Sequence, residues 1–211
     1  MRNWKLKTVD YALTNKLANE LNVSIHIAKL LILRGVDSFV AAKNFFRPDL
    51  KNVHDPFLMK GMGEAVDRIN RAKSKNERIL VFGDYDVDGT SAVSMMYMFF
   101  EDQNINVSYY IPDRYSEGYG FSKQGIDYAV NQKISLIITL DCGIRAVKQT
   151  AYAKSKNIDV IICDHHNVAE VLPNAISILN PKQPDCLYPN KNLSGCGVGF
   201  KFISAYCINN N

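Results

Sequence analysis

The sequence predicts an α/β protein: a doubly wound, mainly parallel five-stranded sheet preceded by a small helical segment. Three observations carry that expectation. Five short apolar runs recur after Arg78, helix-length segments separate them, and the residues before Asn76 follow helical periods. Continuous apolar runs divided by helices are the mark of strands buried on both faces, as parallel sheets require.

In the front segment, Tyr11, Leu13, Leu17 and Leu21 follow one helical period. Ile25, Ala28, Leu31 and Ile32 follow another behind a Ser24 cap. Arg47-Pro48-Asp49 and Asp55-Pro56 punctuate a loop, and a helical pattern resumes from Met59 to Ala72. The polar stretch Ser74-Lys75-Asn76-Glu77 marks the expected boundary, giving a helical segment over 1–75 and an α/β domain over 76–211. In the second part the expected strands are 79–82, 107–111, 136–140, 160–163 and 175–179. The expected helices are 90–101, 123–132 and 145–156.

Composition narrows the class. The chain has 211 residues, 47% of them hydrophobic and 22% charged, which excludes a disordered or collagen-like chain. No apolar run approaches the roughly 20 residues of a membrane span, and charges interrupt the first segment, so a cytoplasmic protein without a membrane partner is expected. Five cysteines never form a C-x-x-C pair, which argues against a disulfide framework and a zinc ribbon and for buried thiols. The net charge of +4 divides into +7 for residues 1–75 and −3 for residues 76–211. A basic front would draw a polyanion toward an acidic centre, although a solvated Lys-rich helical surface gives the same balance.

In a doubly wound sheet the ligand site lies beyond the carboxyl ends of the strands. There the sequence places Gly83-Asp84-Tyr85-Asp86-Val87-Asp88-Gly89-Thr90 after the first run, Asp141-Cys142-Gly143 after the third and Asp164-His165-His166 after the fourth. So many like charges on one edge call for a divalent cation. Carboxylates mixed with imidazole suit manganese or magnesium better than zinc or calcium, and two ions are expected. The spacing of Asp86 and Asp88 lets both address one ion. Asp84 is equally a turn residue or a ligand, and His26 and His54 read as structural. An EF-hand fails because its twelfth loop position is Met95 and a strand precedes it. A P-loop is absent, and Gly195-Cys196-Gly197-Val198-Gly199 lacks the preceding strand of a dinucleotide fingerprint.

Two further segments suit a nucleic-acid strand. Ile111-Pro112-Asp113-Arg114 with Glu117-Gly118-Tyr119-Gly120-Phe121 offers a cation to clamp phosphate and aromatics to stack on bases, or is a loop that packs its own aromatics. Ser194, Gly195 and Gly197 open a helix whose backbone N–H groups could meet phosphate, or are glycines that permit close packing.

Taken together, Gly83–Thr90, Ile111–Arg114 with Glu117–Gly120, Leu140–Gly143, Asp164–His166 and Leu193–Lys201 resemble the DHH phosphoesterase superfamily, and within it the RecJ family of single-stranded-DNA-specific exonucleases. The likeness extends to Phe45–Pro48 and Asp55–Met59. It implies Asp86, Asp88, Asp141 and His165 as metal ligands, with Asp88 shared between ions. It implies His166 facing the substrate phosphate, Asp164 orienting the histidine pair and Asp84 as a further participant. Arg114, Tyr119, Ser194, Gly195 and Gly197 would lie along the nucleic-acid path.

The implied activity is two-metal, 5′ to 3′ hydrolysis of single-stranded DNA in repair and recombination, with a single-strand-binding protein and a helicase as candidate partners. Two other functions fit the same residues: a phosphodiesterase of oligonucleotides, nucleoside bisphosphates or cyclic dinucleotides, and an inactive nucleic-acid-binding scaffold. Members of the superfamily continue into a further ligand Asp and an associated domain, so a truncated chain with a half-built cleft is expected.

Overall fold

The computed structural model describes residues 5–210; Met1–Trp4 and Asn211, at the ends of the two segments read from the sequence, lie outside the described residues. Two compact units are distinguished, one running to Val53 and one starting at His54. The first is built from α1 (Tyr11–Leu21), α2 (Ile25–Ile32) and α3 (Phe39–Phe46). Each helix has an oxygen-bearing N-cap: Asp10, Ser24 and Ser38 accept from the amides of Leu13, Ile27 and Ala41. Leu17, Ala28, Leu31, Val36 and Ala42 form its core, whereas Tyr11 is exposed.

The second unit runs α4 (Met62–Ser74), β1 (Ile79–Gly83), α5 (Val87–Asp102), β2 (Val107–Tyr110), α6 (Lys123–Asn131), β3 (Leu136–Leu140), α7 (Val147–Ser155), β4 (Asp159–Cys163), β5 (Ser177–Leu179) and α8 (Gly195–Asn210). The strands are all parallel, in the order β2-β1-β3-β4-β5. Alternation along the strands divides the core. Ile79, Val81, Leu136, Ile138 and Ile161 face α4, α5 and α8, while Leu80, Phe82, Ile137, Val160 and Ile162 face α6 and α7. The chain leaves β1 for β2 on one side and returns to β3 on the other, so the crevice between β1 and β3 is the topological switch point.

The structural division falls earlier than residue 75. The apolar face of α4 (Met62, Ala65, Val66, Ile69 and Ala72) is buried in the core under the sheet. Buried Arg68 ties α4 to the amino end of the sheet through Glu77 and Asp159, each at 2.6 Å. Local periodicity cannot show on which element an amphipathic helix lies. Two other differences follow from packing. β2 is an edge strand and only partly covered, with Tyr109 exposed, and β5 is shorter than the apolar run that encodes it. Helix α5 begins at Val87 rather than Thr90, because the Asp86 carboxylate accepts from the amides of Asp88 and Gly89 and caps it. No helix among the described residues is long and apolar enough to cross a membrane.

Candidate metal centre

The carboxyl edge of the sheet carries the acidic residues for reasons of local geometry. Asp84 follows β1 directly and is fully buried. The β3–β4 ladder extends one residue past the strand, with Asp141 N–H donating to Cys163 O at 2.9 Å. Asp141 then turns the chain in the left-handed region at φ 60°, which Asp tolerates better than most residues, and its side chain ends buried, the residue 2% exposed. Gly143 completes the turn at φ 110°, where a Cβ would lie 2.6 Å from Thr139 Oγ1.

One ligand-type atom from each of Asp84, Asp86 and Asp141 lies within 4.8 Å of the others, and the same holds for Asp141, His165 and His166. The two clusters share Asp141. His165 Nε2 is 3.0 Å from Asp141 Oδ1 and 3.7 Å from Asp88 Oδ2. Among the described residues neither buried oxygen of Asp84 has a hydrogen-bond partner, and the buried Asp141 Oδ1 meets only the His165 ring nitrogen at 3.0 Å. Buried carboxylates in that state are strongly penalised. Burial, reinforced by Asp88, Asp86, Asp164 and Asp84, pushes the Asp141 carboxyl up to about 8. Burial and the neighbouring Asp86 also raise Asp84, although the nearby Tyr85 and Gly120 amides offset part of the shift. A divalent cation would satisfy the orphaned oxygens and return both groups to carboxylates, so the residues present fit such an ion. A donor set of carboxylate oxygens and imidazole, without thiolate, suits manganese or magnesium.

Asp88 lies beside these clusters, its Oδ2 3.7 Å from His165 Nε2, and its carboxylate also accepts from Gly195 N–H at 2.7 Å and Cys196 N–H at 2.8 Å in the first turn of α8. The same contact changes the expected phosphate turn. The Gly195 amide is committed to Asp88, and the Gly197 amide donates to Ser194 Oγ at 3.0 Å, which makes Ser194 a helix cap. Gly195 is there for close approach, since a Cβ would stand 2.5 Å from Asp141 Cβ.

Asp164 is buried and organises the next residues. Its Oδ1 accepts from the amides of His165 and His166 and lies 2.7 Å from His166 Nδ1, while Oδ2 accepts from Ile144 N–H at 2.9 Å. With Nδ1 so engaged, His166 turns Nε2 outward, where it meets the Tyr119 hydroxyl at 3.1 Å. Arg114 joins the same edge indirectly, its guanidinium 5.4 Å from the centre of the Tyr85 ring, which in turn packs edge-on against Tyr119.

Sequence reasoning missed the groups that hold this loop. Glu117 accepts from the Tyr110 hydroxyl, the Asp113 amide and the Ser122 hydroxyl, closing the segment that carries Arg114 and Tyr119. Its place inside the Glu-Gly-Tyr-Gly motif was the available signal. The link from Asp88 to α8 had none, because it spans 107 residues of chain.

Fold and site together define a doubly wound α/β domain that gathers carboxylates and imidazoles beyond three parallel strands at the switch point. Comparison with known proteins gives that class a family. The model of the DHH family, N-terminal domain, matches residues 78–211, and the chain belongs to the DHH family. It is 42% identical over 202 residues to the single-stranded-DNA-specific exonuclease RecJ of Bacillus subtilis, covering 96% of this chain and 26% of that protein. To RecJ of Escherichia coli it is 35% identical over 148 residues, covering 70% and 26%.

Among solved structures, exonuclease RecJ bound to manganese superposes with a TM-score of 0.66 at 27% identity, over 72% of this chain and 39% of that one. RecJ of Thermus thermophilus in complex with Mn2+ superposes with a TM-score of 0.73 at 23% identity, over 97% and 28%, a likeness of fold. The chain spans about a quarter of the length of these curated relatives.

Proposed function

We propose that this chain forms the metal-binding part of a cytoplasmic, single-stranded-DNA-specific 5′ to 3′ exonuclease that acts in repair and recombination with manganese or magnesium. The observation that carries the proposal is the convergence of the unpartnered, buried Asp84 oxygens with Asp86, Asp141 and His165 on one sheet edge. The similarity to exonucleases named RecJ supports the choice of substrate.

Bound divalent ions would supply charge neutralisation at the phosphodiester and an activated water. Asp84, Asp86, Asp141 and His165 would hold them, with Asp88 held beside them by α8. His166, oriented by Asp164 and Tyr119, would face the phosphate. Arg114 would pair with strand phosphates, and the exposed Tyr119 ring would stack on a base. The basic segment over 1–75 would add salt-dependent affinity for the strand. A single-strand-binding protein and a helicase, which keep 5′ ends open, are the protein partners in this proposal.

The test is a manganese titration of the chain by calorimetry, followed by cleavage of long single strands, duplexes and dinucleotides. Manganese binding tighter than millimolar with a preference for long single strands is expected. A preference for dinucleotides would move the assignment to a small-nucleotide phosphodiesterase, and the lack of manganese binding would leave a scaffold.

A further inference from the structure

Next to the candidate metal centre, on the α6–α7 side of the sheet, is a cavity of about 350 Å³. It lies at the small end of the ~300–1,000 Å³ range of small-molecule pockets, room for one nucleotide rather than a length of strand. His166 and Asp164 form the wall it shares with the metal centre; Tyr119, Phe121, Ile144 and Ala146 supply aromatic and aliphatic surface; Arg145, Gln149 and Asn167 stand at its polar side.

The charges in this cavity favour an anion. The Asp164 carboxylate is saturated by three backbone amides and the His166 ring. Arg145 is exposed and makes no ion pair among the described residues. Its Nε donates to Asn167 O at 3.2 Å, which anchors the side chain and leaves the rest of the guanidinium fork available.

Resting on the nuclease function proposed above, we infer that this cavity seats a single nucleotide, its phosphate paired with the Arg145 guanidinium and its base against the Tyr119, Phe121 and Ile144 wall. The Gln149 amide, which offers both a donor and an acceptor, is the group that would meet a base edge. A pocket of this kind beside His166 would measure out one nucleotide at a time, a property that a metal pair alone does not confer.

The experiment is calorimetric titration of the manganese-loaded chain with deoxyadenosine monophosphate, with inorganic phosphate and deoxyadenosine as comparison ligands. Two variants accompany it. Arg145→Ala removes the cation, and Ala146→Phe fills the cavity; neither residue is among the candidate ligands. The nucleotide is expected to bind more tightly than phosphate or nucleoside. Its affinity should fall about tenfold in Arg145→Ala, the loss of one charge-assisted hydrogen bond, and at least as far in Ala146→Phe. Manganese affinity should be unchanged in both. Unaltered nucleotide affinity in both variants, with manganese still bound, would overturn the pocket alone. Failure of the unmodified chain to bind manganese would remove the nuclease proposal and this inference with it.

Discussion

The N–H of Gly195 donates to Asp88 Oδ2 at 2.7 Å, so the first turn of α8, packed beside α5 on the same face of the sheet, closes on the acidic edge. The first turn of α8 faces the Asp88 carboxylate with its N–H groups, and the absence of a Cβ at Gly195 leaves room for Asp141. In Gly195→Ala the new methyl would stand 2.6 Å from Asp141 Oδ1, forcing α8 and Asp141 apart. We expect manganese affinity to fall at least tenfold, read by calorimetry, with a loss of about 1–3 kcal/mol in unfolding free energy, typical of overpacking. Unchanged manganese affinity would show that α8 does not position the site.

The metal-free protein should lose stability as pH rises from about 4 to about 8. Asp141 keeps its proton up to about 8 in the folded chain, whereas the unfolded chain releases it near the ordinary value of 3.8. Between these values the native state binds more protons, so unfolding free energy declines with pH, and Asp84 acts in the same direction. Thermal unfolding in chelator across this window checks the slope. Asp141→Asn should flatten it and raise the melting temperature at pH 8 while weakening manganese binding. A metal-free protein whose stability rises over the window would contradict the assignment.

Much of this was legible before the structure, and the limits are physical. The apolar runs at 79–82, 136–140 and 160–163 fall within a residue of β1, β3 and β4, because strands buried on both faces write their burial into continuous sequence. The residues at their carboxyl ends follow from sheet topology alone. Reading Asp86 only as a ligand starts α5 too late, since the same carboxylate is also the cap. Pairing of Asp88 with α8, the Tyr119–His166 contact and the cavity beside Arg145 depend on segments distant in sequence, which no local pattern encodes.

Removal of the Asp164 carboxylate should cost stability before it costs metal. Asp164→Ala strips the amides of Ile144, His165 and His166 of their acceptor in a buried setting, for an expected loss of roughly 2–5 kcal/mol. Asp164→Asn keeps one acceptor oxygen and should lose less. Urea unfolding ranks the variants, and NMR of the His166 ring should report exchange between tautomers once Nδ1 loses its partner. Equal stability of the two variants would contradict this role.

Glu117 should govern the loop rather than the chemistry. Glu117→Ala frees the Tyr110 and Ser122 hydroxyls and the Asp113 amide, loosening the segment that carries Arg114 and Tyr119. Affinity for single-stranded DNA should drop several-fold, about 1 kcal/mol, in fluorescence anisotropy with labelled oligonucleotide. Manganese affinity should stay as it was. A parallel loss of manganese would mean that the loop is part of the metal centre.

At the amino end of the sheet, Arg68→Met breaks ion pairs that lie far from the acidic edge. Asp159 is one-third exposed, so the expected loss is about 2–3 kcal/mol, below that of a wholly buried pair. Unfolding in urea reads it, with no change in metal affinity; a loss below about 0.5 kcal/mol would place Arg68 among ordinary surface charges.

The most direct measurement is anomalous diffraction at the manganese edge from crystals of this chain grown with the ion. Peaks ligated by Asp84, Asp86, Asp141 and His165, with Asp141 touching more than one, are the predicted result. Clear electron density for these side chains with no anomalous peak among them would contradict a cation pocket at this edge.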